Sequence, residues 1–187
     1  LHLCDKNMVK MDTNNDDSSK ATHTLLAEVC YAAKYEGDSI RGDHDKHKQS
    51  NSSSQLCTEL ARSFADIGDI VRGRDLFYGN PQEKDQRKKL QQNLKTIFKN
   101  IYKELKNEKT LKARYKDDAP YYYQLREDWW NANRQTVWKA ITCSEHLKNS
   151  SYFHATCNGE KRTEGYCRCD GANIVPTYFD YVPQYLR

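Results

Sequence analysis

Leu56-Cys57-Thr58-Glu59-Leu60-Ala61-Arg62-Ser63-Phe64-Ala65-Asp66-Ile67-Gly68-Asp69-Ile70-Val71-Arg72-Gly73 is the stretch whose reading decides the fold class. Leu56, Leu60, Phe64, Ile67 and Val71 recur in steps of four, four, three and four, which is one face of an α-helix, and Gly73 follows as a stop signal. A helix with one apolar face needs partners, and the flanking sequence supplies them. Upstream, Leu25, Leu26, Val29, Cys30 and Ala33 predict a helix over Thr24 to Glu36, with Gly37 as its C-cap. Downstream, Asn80-Pro81-Gln82-Glu83 carries an N-cap residue, a proline in the first turn and an acid three positions after the cap. That signature opens a long helix whose Leu90, Leu94, Ile97, Ile101 and Leu105 face the core and carry it to about Thr110. Ala119-Pro120 opens a fourth helix, with Leu125, Trp129, Val137, Ala140 and Ile141 on its buried side and its end near Cys143.

The connecting stretches read differently. Ser39 to Ser54, rich in Ser, Asp, His and Lys, is expected to be a solvated loop. The region after Cys143, with Gly159, Gly165 and Gly171 among its cysteines, is expected to be loop-like and pinned by disulfides. No internal repeat or alternating strand pattern is present. The expected fold is mainly α, a disulfide-stabilised helical bundle with long irregular loops.

The 187 residues suit one ordinary domain or a piece of one. Thirteen tyrosines and three tryptophans exclude a disordered polar chain, although charged residues make up 30%. No apolar run approaches the roughly 20 residues that span a bilayer, so no direct membrane insertion is expected in this segment. Seven cysteines, Cys4, Cys30, Cys57, Cys143, Cys157, Cys167 and Cys169, argue for disulfides and an oxidising compartment, and their odd number suggests a partner elsewhere.

The formal charge of +4 is unevenly spread. Between Lys84 and Lys116 twelve Lys and Arg stand against Asp85, Glu104 and Glu108, a net of +9, so the rest of the chain sums to −5. At about 100° per residue Lys88, Lys95, Lys99, Lys103 and Lys106 fall on one stripe opposite the core face, and Lys109 and Lys112 extend it. With ~1.5 Å of rise per residue the stripe runs ~27 Å, long enough to track several sulfates or phosphates. The alternative is a solvated helix face. Glu104 and Glu108 provide few i,i+4 partners, so the lysines repel one another and a bound polyanion would relieve the repulsion. An extracellular setting favours sulfated glycans over nucleic acid as that polyanion.

Other constellations carry less. Cys143-Ser144-Glu145-His146, His154-Ala155-Thr156-Cys157 and Cys167-Arg168-Cys169 imitate a zinc site, but Cys-x-Cys is a poor two-ligand spacing and disulfides are the default reading. Asp43-His44-Asp45-Lys46-His47 lies in a polar stretch with nothing to desolvate an acid or base. No nucleophile elbow, phosphate loop or Walker pattern is present, so no catalysis, cofactor or metal is expected. Tyr121-Tyr122-Tyr123 and Trp129-Trp130 have two readings, core residues, which is the commoner, or a glycan-stacking platform, for which Trp129 is expected to be buried and Trp130 or a tyrosine is left as the exposed member. Asn51 and Asn149 begin N-glycosylation sequons, which would mark only surface loops.

Several blocks together resemble one family. Leu1-His2-Leu3-Cys4-Asp5-Lys6-Asn7-Met8, the run from Ala27 to Gly37 and the run from Ala61 to Gly73 resemble the Duffy-binding-like domain. Arg126-Glu127-Asp128-Trp129-Trp130-Asn131-Ala132-Asn133-Arg134, Val137-Trp138 and the run from Val175 to Arg187 look like its alpha class, found at the head of the erythrocyte membrane protein 1 family of Plasmodium falciparum. The resemblance implies a helical domain of three subdomains in a variant adhesin on the infected erythrocyte surface. Expected partners are erythrocyte or endothelial receptors, heparan sulfate or heparin, blood-group glycans and host antibodies. The alternative is a structural or immune-decoy head whose neighbours carry adhesion. The resemblance further implies part of one domain, with about 1–55 ending the first subdomain, about 56–187 forming most of the second, and the third absent. Within this frame Cys30 is expected to pair with Cys57, Cys143, Cys157, Cys167 and Cys169 to pair among themselves, and Cys4 or one of those four to lack a mate.

Overall fold

The computed structural model describes residues 8, 21–46, 53–76, 79–105, 109–157, 160–169 and 174–187. Among the described residues five named helices follow in order: α1 (Ala21–Lys46), α2 (Ser53–Arg72), α3 (Pro81–Glu104), α4 (Lys109–Arg114) and α5 (Tyr123–Ile141). After α5 the backbone is irregular, with 3-10 turns at Glu145–Leu147, Phe179–Tyr181 and Gln184–Leu186.

α2 is the axis. Its stripe Leu56, Leu60, Phe64, Ile67 and Val71 is buried as expected, but so are Cys57, Ala61, Ser63, Ala65, Asp69, Ile70 and Arg72. A helix enclosed on most of its circumference must be packed from several directions, and α1, α5 and the Phe179–Tyr181 turn all lie against it. Phe64 meets two of the tryptophans of α5, Trp130 and Trp138, each with ring centroids 5.2 Å apart. Trp130 is fully buried, which corrects the expectation that it was a candidate for exposure. Gly68 makes this possible, because a Cβ there would stand only 2.8 Å from the Trp130 ring.

α1 differs most from its expectation. It does not stop at Gly37 but continues to Lys46, so residues 39–46 are helix rather than loop. Gly37 is buried within it, where an added Cβ would overlap the carbonyl oxygen of Ile141. The glycine marks the point where the end of α5 touches α1, and in sequence that looks the same as a cap.

α3 begins as predicted. The Asn80 side chain accepts from Glu83 N at 2.9 Å and the Glu83 carboxylate accepts from Asn80 N at 3.1 Å. It ends at Glu104, short of Thr110. The Glu104 carboxylate accepts from Ala21 N at 3.1 Å and from Thr22 Oγ1 at 3.2 Å, so it satisfies one free N–H at the start of α1 and a neighbouring hydroxyl. α5 starts at Tyr123, three residues after Pro120, because the Asp118 carboxylate accepts from Gln124 N at 3.0 Å and Leu125 N at 2.8 Å.

Among the described residues two disulfides are formed, Cys57–Cys167 and Cys157–Cys169. The second is a pairing within the expected group. The first overturns the expected Cys30–Cys57 bridge: Cys57 is spent on the loop after α5, with Trp138 Nε1 donating to the Cys167 carbonyl at 3.1 Å. Cys30, half-buried on α1, and Cys143, exposed after α5, carry free thiols in this structure. Cys4 and the sequon at Asn51 lie outside the described residues.

Candidate functional site

The amphipathic character of α3 settles which of its sides can bind anything. Leu90, Leu94, Ile97, Phe98 and Ile101 are buried, which turns the lysine side away from the core. Lys88 is exposed and 3.7 Å from Asp85, a surface pair of little energetic weight. Lys99 and Lys103 are exposed, whereas Lys95 is half-buried. Among the described residues no ion pair engages Lys95, Lys99 or Lys103. Glu104, the acid nearest to them on the helix, is turned to the start of α1. Lys112 is half-buried on α4, Lys106 lies outside the described residues, and of Lys109 only the backbone is described. The structure therefore places Lys88, Lys95, Lys99 and Lys103 on one helix and Lys112 on a separate one, so the expected continuous stripe is broken at the end of α3.

Lys95 is held in place by an aromatic ring. Its Nζ lies 4.2 Å from the Tyr121 ring centroid, close enough for a cation–π attraction. Tyr121 in turn stacks on Tyr123, with centroids 5.3 Å apart and planes within 8°. Both rings are about half exposed, at 44% and 51%. Tyr122 between them points inward, is buried, and stands 5.8 Å from Tyr102, and burial pushes its phenol up from the ordinary range. Beside this ladder an open cleft of about 550 Å³ is lined by Gln92, Lys95, Thr96 and Lys99 of α3 and by Ala119, Pro120 and Tyr122 of the facing turn.

A second polar cluster lies at the end of the bundle where α2 finishes. Arg134 donates to both oxygens of Asp180 at 2.7 Å, and Trp130 Nε1 donates to the same carboxylate at 2.9 Å. Arg72 bonds Asp69 at 3.0 Å and also reaches the Asp180 carbonyl. Arg187 pairs with Asp66 at 2.8 Å and with Asp69. Burial pushes the Asp66 carboxyl up to about 6, which Arg187 only partly offsets, and burial raises Asp69 too. Arg126, also buried, donates to the Val71 and Ile70 carbonyls at 2.6 and 3.1 Å and to Gln91 at 2.8 Å. Burial lowers it to about 10. These groups satisfy one another, and the cluster clamps the 3-10 turns of the C-terminal segment onto α2.

The family model described as the Duffy binding domain matches residues 1–187. This chain belongs to that family. Among solved structures, this Duffy binding domain is similar to the NTS-DBL1(alpha-1) domain of Plasmodium falciparum membrane protein 1 (PfEMP1) from the varO strain, at 40% identity and a TM-score of 0.78 over 99% of this chain. The varO double domain of NTS-DBL1-alpha and CIDR-gamma matches at 41% identity with a TM-score of 0.77, again over 99% of this chain but 25% of that one. An ICAM-1-binding PfEMP1 DBLbeta domain, IT4var13, matches at 35% identity with a TM-score of 0.73, covering 99% of this chain and 39% of that one. The chain spans about two fifths of the first of these relatives, 40%. No curated protein sequence matches it.

In this Duffy binding domain the zinc-like spacing is put to other use, since Cys157, Cys167 and Cys169 are all disulfide-bonded. His146 and His154 are exposed. Among the described residues no group of three or more His, Cys, Asp and Glu is gathered for a metal. Of the Asp43–His47 stretch, Asp43 lies exposed on α1 and His47 falls outside the described residues. Asn149 is exposed in the turn after the Glu145–Leu147 3-10 helix. No described helix is long and apolar enough to cross a membrane. The sequence indicated the lysines and the tyrosine run separately, but not that they meet. Only the α3–α5 packing places Tyr121 over Lys95, and the run of three tyrosines is its one sequence trace.

Proposed function

We propose that the chain is a host-receptor-binding module of a parasite surface adhesin, displayed on the infected erythrocyte, and that the lysine side of α3 engages sulfated glycosaminoglycan. Membership of the Duffy binding domain family supports an adhesive role, and a relative in that family is described in complex with human ICAM-1. The observation that carries the glycan reading is the row Lys95, Lys99 and Lys103, opposite a buried apolar face and engaged in no ion pair among the described residues. Leaving like charges side by side on a helix costs stability, and a sulfated chain removes that cost while releasing its own counterions.

The test is heparin binding by the disulfide-intact protein across a salt series, beside a variant carrying Lys95→Glu, Lys99→Glu, Lys103→Glu and Lys106→Glu. Binding that weakens with salt and falls at least roughly ten-fold in the variant supports the reading, because several phosphate-like contacts are lost at once. Equal binding by both proteins moves the site off α3. Absence of binding by either favours the structural or immune-decoy head, with adhesion carried by neighbouring domains.

A further inference from the structure

We infer that Tyr121 is a positioning residue for the polyanion site: backed by Tyr123 on one face, its ring holds the Lys95 ammonium on the other, so that Lys95 and Lys99 offer a partly preformed pair of cations to one sulfate group at the cleft. This rests on the polyanion reading of α3 and names the residue that makes one point of the lysine row bind more strongly than the rest.

The turn before α5 sets the ring in place. Tyr122 lies in the left-handed region, at φ 57°, and its buried ring stands 5.8 Å from Tyr102. Its neighbours Tyr121 and Tyr123 are left side by side on the outside, with centroids 5.3 Å apart and planes within 8°. Asp118 anchors the same turn, because its carbonyl accepts from Tyr122 N at 2.7 Å and its carboxylate accepts from Gln124 N and Leu125 N. The Tyr121 ring is thus restrained from behind, and Lys95 Nζ lies 4.2 Å from its centroid in front. With both faces occupied the ring has none left for a ligand, and the ammonium is the group it serves.

Lys95 differs in this from the other described stripe lysines of α3. Lys88 stands beside Asp85, and Lys99 and Lys103 are exposed, where long side chains sample many rotamers. Lys95 is half-buried and has given up part of that freedom in the unbound protein, so less is lost when an anion fixes it. Lys95 and Lys99 are one helical turn apart, about 6 Å along the axis, and both line the cleft. An ammonium carries three N–H donors and the ring meets it from one side, so an anion in the cleft can be met without lifting Lys95 off Tyr121.

The experiment is a double-mutant cycle read by affinity for a size-defined heparin oligosaccharide at fixed salt. The disulfide-intact protein is compared with Tyr121→Ala, Tyr121→Phe, Lys95→Gln and the Tyr121→Ala, Lys95→Gln pair, with thermal unfolding confirming that each folds. Should alanine at this position prevent folding, Tyr121→Leu, which keeps bulk and lacks the π face, takes its place in the cycle. Tyr121→Ala is expected to lose affinity about three- to five-fold and Tyr121→Phe little, since phenylalanine keeps the π face. In the Lys95→Gln background Tyr121→Ala is expected to cost nothing further, because the ring acts through the ammonium. An equal loss in both backgrounds, or no loss or a gain from Tyr121→Ala alone, overturns the positioning role while the polyanion reading of α3 stands. Failure of the unsubstituted protein to bind heparin overturns that reading and the positioning role with it.

Discussion

The Asp66 carboxyl sits where two opposed influences meet: burial on α2 beside the C-terminal segment raises its proton affinity, while Arg187 at 2.8 Å lowers it. Burial prevails, and the carboxyl is held at about 6. The unfolded chain binds that proton only below the ordinary value of 3.8, so between roughly pH 4 and 6 the folded state holds more protons than the unfolded one. The contribution of Asp66 to stability therefore falls as pH rises through this window and is at its lowest above it. Allowing for partial exposure of the carboxylate, the change amounts to about 1–2 kcal/mol. Urea unfolding at pH 4.5 and pH 7 should show a smaller difference in Asp66→Asn than in the unsubstituted protein by that amount. Identical pH dependence in the two would refute the assignment. Gly37→Ala tests a different single-residue constraint. Its new Cβ meets the backbone of Ile141, which cannot yield as a flexible side chain would, and a loss of about 2–4 kcal/mol is expected by thermal or urea unfolding.

Among elements, what could be read beforehand depended on whether the signal was local. The α2 stripe and the Asn80–Glu83 box depend on residues a few positions apart, and both appear as read. Gly37 was misread because the contact it serves, with Ile141, is made by a helix a hundred residues away in sequence. Trp130 was misplaced for a related reason: one apolar stripe was assigned to α5, but α5 packs α2 through Trp130 and Trp138 and α3 through Trp129, which meets Phe98 at 6.1 Å. The disulfide partners of Cys57 were likewise beyond reach, since spacing says nothing about which loop returns to α2. The start of α5 offers a clean test, because Asp118 alone receives two of its first free N–H groups. Asp118→Ala should cost about 1 kcal/mol in unfolding free energy. Asp118→Asn, which retains an acceptor, should recover most of it.

At the scale of the whole molecule, three of the blocks that carry the family resemblance meet in space. The runs ending in Asp69-Ile70-Val71-Arg72-Gly73, beginning with Arg126 and ending in Arg187 supply nearly all the members of the buried polar cluster at the end of α2. They are framework, and their closure leaves α3 with its lysines on a separate surface. That division explains why the framework was more readable than the surroundings of the lysines: the framework leaves dense local patterns, whereas the Lys95–Tyr121 contact joins residues from different elements. The Cys57–Cys167 bridge spans 110 residues and joins α2 to the loop beyond α5, enclosing α3, α4 and α5. Replacing both cysteines with serine should lower stability by about 2–5 kcal/mol, measurable by denaturant unfolding under oxidising conditions.

The same bridge governs how this chain responds to being pulled. A tensile load applied between α1 and Arg187 passes from Cys57 directly to Cys167, and the segment between them, a sequence separation of 110, is shielded from extension. At about 3.4 Å per residue, roughly 370 Å of contour length cannot be paid out, however hard the ends are drawn. Lys88, Lys95, Lys99, Lys103 and the cleft beside them lie wholly inside that protected loop, so a ligand held there as proposed would meet a folded surface while the segments outside the loop take the strain.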